Sequence, residues 1–312
     1  MKVFRSLDAF HKLDFAVVTQ GTFDGVHLGH KQILNRIIKL SQENKGESVV
    51  ITFSPHPRFV LQTRDANLKL LHSDTEKIHH LSEAGIDNLL MVPFTEAFSQ
   101  LTPQEFVAEI LIGIIGMKII VVGYDHRFGK DRQGSITDLK ALSQKHHFEI
   151  EEINAHDIEQ VAVSSTKIRQ ALAKGDIKLA NSYLGHAYGL KGLVVTGRKK
   201  GRELGFPTAN VQISDPNKLI PAEGVYAVTA LIDNIIFQGM ANLGAQPTYD
   251  ITNRQLEVHL FGFNQNIYGK EIEVSFHHKV RDIHKFDSEQ ALRNQLQNDM
   301  ALIKSILTGG SI

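Results

Sequence analysis

The chain contains no cysteine and no tryptophan, carries no net charge, and has only 8 prolines in 312 residues. Without a thiol there is no disulfide, no iron–sulfur cluster, no thiolate zinc site and no cysteine nucleophile. Lys+Arg and Asp+Glu balance at 34 each, so the surplus of cations that a nucleic-acid-coating or membrane-coating surface needs is missing. The longest apolar stretches, 108–117 and 119–123, are interrupted by Lys118 and are too short to cross a bilayer. The amino terminus lacks the apolar run and small-residue cleavage site of a signal peptide. These absences lead us to expect a cytoplasmic protein without a nucleic-acid or membrane partner. Oligomeric state is not legible. The 42% hydrophobic and 22% charged residues suit an ordinary globular chain, and the length suits two domains.

Texture divides the sequence. In the first half, β-branched runs at 15–19, 48–53, 88–93 and 118–123 alternate with helical periodicity over 31–43, 74–84 and 103–115. Thr102, Pro103 and Glu105 form a helix start, with a cap, a first-turn proline and a capping box. Strand–helix alternation predicts a doubly wound parallel α/β sheet, whose ligands bind at the carboxyl ends of the strands. Beyond about residue 182, strand patterns at 192–196, 224–232, 235–242, 255–263 and 271–277 follow one another without long helices. Leu256, Val258 and Leu260 alternate with Glu257, His259 and Phe261, which places Glu257 and His259 on the face away from the core. A helix from about Asp287 or Ser288 to Leu307 closes the chain. We therefore expect domains 1–182 and 183–312, the second a small antiparallel barrel or sandwich with a carboxy-terminal helix.

Two segments in the first half carry chemistry. Gly21-Thr-Phe-Asp-Gly-Val-His-Leu-Gly-His30 lies directly between the first strand and the first helix. Its glycines permit close backbone approach, and the helix start offers free N–H groups and a positive dipole end that favour phosphate. His27 and His30, three apart, project to one side of a first helical turn. Such a pair is often incidental, and a zinc site would require a third ligand. Ser164-Ser-Thr-Lys-Ile-Arg169 opens a later helix; its hydroxyls read either as plain caps or, with the arginine, as a triphosphate clamp.

Together these segments resemble the HxGH nucleotidyltransferases, and more narrowly the adenylyltransferase half of the bacterial bifunctional riboflavin kinase/FAD synthetases. Thr52-Phe-Ser-Pro-His-Pro57 and Gly123-Tyr-Asp-His-Arg-Phe-Gly129 resemble that family's next two loops, with His126 where phenylalanine is usual. The resemblance implies that Gly21, Phe23, Asp24, His27 and His30 hold ATP, with Ser164, Ser165, Thr166 and Arg169 on the other side of the triphosphate. It puts His56 and Asp125 near the flavin and makes His27 and His30 catalytic.

In the second half, Gly197-Arg-Lys-Lys-Gly-Arg-Glu-Leu-Gly-Phe-Pro-Thr-Ala-Asn210 combines glycines with four cations and ends in neutral oxygen donors. It reads either as a solvated basic hairpin or as a phosphate-wrapping loop beside Mg²⁺ ligands. With Asn242-Leu-Gly-Ala-Gln-Pro-Thr248, Leu256-Glu-Val-His-Leu-Phe261 and Tyr268-Gly-Lys270 it resembles the riboflavin kinase module, a small antiparallel β-barrel. That resemblance implies ATP binding by Gly201, Arg202, Thr208 and Asn210, Mg²⁺ at Thr208 and Asn210, and Glu257 as catalytic base. Gly262, Asn266 and Ile283 depart from the family's usual residues. The expected function is phosphorylation of riboflavin to FMN by ATP, then adenylylation of FMN to FAD, both with Mg²⁺. The alternatives are an FAD synthetase with a degenerate kinase module, a flavin-binding regulator, and an RNA-acting nucleotidyltransferase.

Overall fold

The structure is a computed structural model that describes residues 1–61, 68–123, 127–153, 163–197, 200–245 and 254–309. It divides into two compact units, Met1–Ser165 and Thr166–Ile312.

In the first unit six strands form one sheet: β1 (Lys2–Phe4), β2 (Ala16–Gln20), β3 (Glu47–Ser54), β4 (Asn88–Pro93), β5 (Met117–Gly123) and β6 (Glu149–Ile153). Their order is β1-β4-β3-β2-β5-β6, and every pairing is parallel. The chain thus steps outward from β2 to β3 and β4, crosses back, and steps outward on the other side through β5 and β6. The reversal leaves a crevice between β2 and β5 at their carboxyl ends, where a doubly wound sheet takes its ligand. Helices cover both faces. Leu34 and Ile37 of the helix Leu28–Glu43 and Leu81 of the helix Asp74–Glu83 bury one face; Val107, Ile110, Leu111 and Leu139 bury the other. The segment expected to be helical from Pro103 opens with the predicted capping box, Thr102 Oγ1 accepting from Glu105 N at 3.2 Å, but winds as a π-helix over Phe106–Ile115. Two edge strands escaped the sequence reading. β1 is three residues long, and β6 is acid-rich, with Glu151 accepting from Arg36 Nε at 2.8 Å.

The second unit is a closed antiparallel barrel of β7 (Tyr188–Val195), β8 (Ala209–Ile213), β9 (Gly224–Ile232), β10 (Ile235–Ala245), β11 (Arg254–Leu260) and β12 (Glu271–Arg281), in the order β10-β11-β8-β7-β12-β9. Closure gives every strand of the barrel a partner on both sides. Tyr188, Tyr226 and Phe276 fill the interior. The final helix, Glu289–Leu307, is capped by Ser288, as expected from the sequence. Its Ile303 lies in an apolar cluster with Phe206, Ala227 and Met240. It is also held by charge: Asp299, 2% exposed, accepts from Arg281 Nη2 at 2.7 Å and Nε at 3.0 Å, and from Gln295 Nε2 at 2.8 Å. Removing one member of such a pair strands the other without compensation. Asp299→Ala is therefore expected to lower the stability of this unit by about 3–5 kcal/mol in denaturant unfolding, and Arg281→Ala by a comparable amount.

Candidate active sites

The loop after β2 is tightly tied down. Gly21 N donates to Ile51 O at 3.0 Å, and Thr52 Oγ1 donates to Thr22 O at 3.2 Å. Phe23 and Val26 are both buried at positive φ, 47° and 37°, a conformation that side-chain-bearing residues hold only where the surroundings enforce it. Asp24, 2% exposed, turns Oδ1 toward the backbone N–H groups of Leu71 (2.9 Å) and His72 (3.1 Å), and its carbonyl accepts from Ser165 Oγ at 2.8 Å. Asp24 is thus an anchor for the loop.

His27 is the N-cap of the first helix, its Nδ1 accepting from His30 N at 3.3 Å. With Nδ1 an acceptor, a ring proton sits on Nε2, the donor that a phosphate oxygen requires. The rings of His27 and His30 stack at 3.7 Å and 14°. Burial, then the neighbouring charges of His27 and Lys77, hold His30 well below its ordinary value of 6.5, so it is neutral. Its Nδ1 is buried without a hydrogen-bond partner among the described residues, a condition that favours a ligand there.

The remaining first-half candidates are distributed around the same strand ends or in the helix Ser165–Lys174. Ser164 precedes that helix, Ser165 opens it, Thr166 is exposed, and Arg169 is half-buried one turn on from Ser165. His56 caps the short helix Pro57–Val60 beyond β3, accepting from Arg58 N at 3.2 Å. Asp125 lies outside the described residues. The sequence reading missed two features. Phe53, Phe94 and Phe98 form an aromatic cluster beyond β3 and β4, with centroids 5.3–5.7 Å apart. Lys77, only 4% exposed, stands in the apolar phase of its helix with Leu81 four residues on. A lysine on a core-facing position was the signal available for it.

In the barrel, strand register assembles the second site. Glu257 of β11 lies directly opposite Asn210 of β8 on one side and Asn242 of β10 on the other, so the three side chains share a face. Thr208 lies one residue before β8. Asn210 is 6% exposed and accepts from Gln255 Nε2. Gly197 and Gly201 are held close to these donors. A Cβ on Gly197 would sit 1.9 Å from Asn210 Nδ2, and one on Gly201 would sit 2.3 Å from Phe206 O and 3.4 Å from Thr208 Oγ1. Of Arg202 only the backbone is described, within the turn of helix Lys200–Glu203.

His259 shares the face of Glu257 and is covered there by the chain: its Nδ1 lies 2.8 Å from Pro207 O, and its ring meets Phe206 at 5.3 Å. The segment after the glycine loop covers that end of the face. The three departures each have a local role. Gly262 sits at φ +67°; Asn266 Oδ1 accepts from Tyr268 N at 3.1 Å; Ile283 Cδ1 packs toward the Cα of Gly244, within 2.9 Å of where a Cβ would be.

Residues 10–167 match the FAD synthetase family and residues 184–307 the riboflavin kinase family. The bifunctional riboflavin kinase/FMN adenylyltransferase of Haemophilus influenzae is 36% identical, across 98% of this chain and 99% of its own. The enzymes of the same description from Buchnera aphidicola of Acyrthosiphon pisum and from Escherichia coli K12 are 35% and 36% identical, covering 97% and 91% of this chain and 97% and 90% of their own. The chain belongs to the bifunctional riboflavin kinase/FMN adenylyltransferases. It has both enzymatic domains of that family, an adenylyltransferase and a kinase. A crystal structure described as a macrolide-efflux protein from Streptococcus pneumoniae has the same fold, with a TM-score of 0.88 at 33% identity over 97% of this chain and 98% of that one. Among the described residues of this family member, no helix is long and apolar enough to cross a membrane.

Two tests follow from the geometry. Gly197→Ala should reduce riboflavin phosphorylation by roughly 10²-fold, the scale of a 1 Å misplacement, while FMN adenylylation in the same preparation is unchanged. Below pH 6.5 the unfolded chain protonates residue 30 and the folded chain does not. Stability of the first unit should therefore fall as pH drops from about 7 to 5, and His30→Gln should flatten part of that slope in urea unfolding.

Proposed function

We propose that the two activities divide between these two sites, riboflavin phosphorylation at Glu257 and FMN adenylylation at His27 and His30. What carries this reading is that each half pairs a tightly held glycine loop with side chains suited to phosphate: a stacked histidine pair in one, a carboxylate flanked by amides in the other.

At the kinase site Glu257 accepts the proton of riboflavin's 5′-hydroxyl as that oxygen bonds to the γ-phosphorus of ATP. The bond from γ-phosphorus to the β-phosphate oxygen breaks, and ADP departs with the electron pair. Gly201 and Arg202 lie along the nucleotide. The donor set fits magnesium: Thr208 Oγ1 and Asn210 Oδ1 are hard neutral oxygens beside a glycine that leaves the amide uncrowded. When bound, Mg²⁺ supplies charge neutralisation on the phosphates.

At the adenylyl-transfer site an FMN phosphate oxygen attacks the α-phosphorus of ATP, and pyrophosphate leaves. The nucleophile is already an anion, so the site needs positioning and charge neutralisation rather than a base. His27 and His30 donate to the triphosphate, the loop from Gly21 to Asp24 shapes its seat, and Ser164, Ser165, Thr166 and Arg169 are assigned to triphosphate binding as well. His56 and the Phe53–Phe94–Phe98 cluster serve the flavin, and Asp125, outside the described residues, is assigned the same role. The domain boundary falls near residue 182, between the two family matches, and the enzyme works in the cytoplasm on small molecules.

A chromatographic time course with riboflavin, excess ATP and Mg²⁺ should show transient FMN followed by FAD. Glu257→Gln is expected to abolish the first step, by at least about 10²-fold, and to spare FAD formation from added FMN. Equal loss of both steps, or retention of the first, would rule out Glu257 as the base of the kinase.

A further inference from the structure

Lys77 is a buried cation for which neither reaction has yet a use. The helix that carries it begins beside the strand ends: Ser54, the last residue of β3, donates its hydroxyl to Asp74 in the first turn. Leu71 and His72, just ahead of that helix, are the residues whose N–H groups hold Asp24. Lys77 therefore lies toward the same carboxyl edge of the sheet as the His27–His30 loop, near enough for its charge to lower the ionisation of His30. Its compensation is incomplete. Among the described residues, Asp74 Oδ1 at 3.8 Å is its one carboxylate within ion-pairing range, beyond hydrogen-bond distance, and Asp74 itself is 40% exposed. The Oδ1 of Asp24, the other acid that acts on Lys77, is engaged by two backbone donors. An ammonium buried to this depth and paired only with a distant, half-exposed carboxylate is costly to keep unless a ligand supplies the charge. Burial accordingly pushes its ionisation down, against the pull of Asp74 and Asp24.

A second group at the same edge has the same deficit. The buried Nδ1 of His30 has no partner among the described residues, although the ring is fixed by stacking on His27 and by contact with Phe23 at 5.0 Å. One ligand class answers both: an oxyanion, which pairs with an ammonium and accepts from a neutral imidazole.

We propose that Lys77 is a catalytic residue of FMN adenylylation, its ammonium contacting a phosphate oxyanion that also meets His30. This rests on the assignment of that reaction to the His27–His30 loop. The oxyanion belongs either to the triphosphate of ATP or to the 5′-phosphate of FMN. On the triphosphate, Lys77 takes up charge released as the bond from α-phosphorus to the pyrophosphate oxygen breaks. On FMN, it holds the attacking oxygen in line. Neither step requires a proton from Lys77.

Lys77→Met, Lys77→Arg and His30→Asn, each in the full chain, test the inference. Riboflavin phosphorylation serves as an internal control. Lys77→Met should lower kcat/KM for FMN adenylylation on the order of 10²-fold and leave the kinase within about twofold, with Lys77→Arg recovering part of the loss. A raised KM for ATP, with pyrophosphate no longer raising the melting midpoint, assigns the contact to the triphosphate; a raised KM for FMN alone assigns it to the flavin phosphate. If Lys77→Met keeps full adenylylation while His30→Asn loses it, the inference falls and the site assignment stands. If both keep it, the site assignment falls. Should Lys77→Met not fold, the wild-type chain decides, crystallised once with pyrophosphate and once with FMN. A phosphate oxygen within about 3 Å of Nζ in either complex supports the contact, and none within hydrogen-bond reach in both overturns it.

Discussion

The first unit turns on the carboxylate of Asp24. Buried, such a group persists only where donors meet it, and here two backbone N–H groups from the segment before the Asp74–Glu83 helix are drawn in to it. Its own carbonyl then receives the hydroxyl that opens the helix Ser165–Lys174. Segments from two distant parts of the sequence are thereby fixed to one residue of the loop after β2. The positive φ values at Phe23 and Val26 are tolerable because that anchorage, and the burial of both side chains, leaves the loop no relaxed alternative.

The two phosphate sites solve a common problem with different elements. In the sheet domain the solution is topological: winding reverses at β2 and β5, and the opened crevice meets the start of a helix. In the barrel it is strand register that does the work. Asn210, Glu257 and Asn242 belong to three neighbouring strands and meet only because β8, β11 and β10 pair without slippage. The glycine loop beside them is specified sterically, since Gly197 leaves no room for a single further carbon against Asn210.

What could be read from the sequence was what is local. Caps at Thr102 and Ser288 and strands such as β4 and β9 follow from short-range patterning, and the structure has them where that patterning puts them. The pairing of Glu257 with Asn210 and Asn242 joins residues well apart along the chain, and no periodicity contains it. Lys77 escaped notice because a lysine in an apolar phase is ordinarily dismissed as solvated. His259 shows the limit of alternation: period two tells on which side of a strand a residue lies, not what the chain lays over that side. The edge strands β1 and β6 were too short or too acidic to register, and the π winding of Phe106–Ile115 has no signature in hydropathy.

The closed barrel has a consequence for how its catalytic residues can change over time. Side chains on β11 alternate between core and exterior, so shifting the strand by one position would turn Glu257 inward and bring Val258 out. In a ring without free edges that shift must be accommodated by every other strand at once. Insertions or deletions within β8, β10 or β11 are therefore purged as folding defects before they can act as catalytic variants, and this half can diversify only by substitution in place or by lengthening its loops.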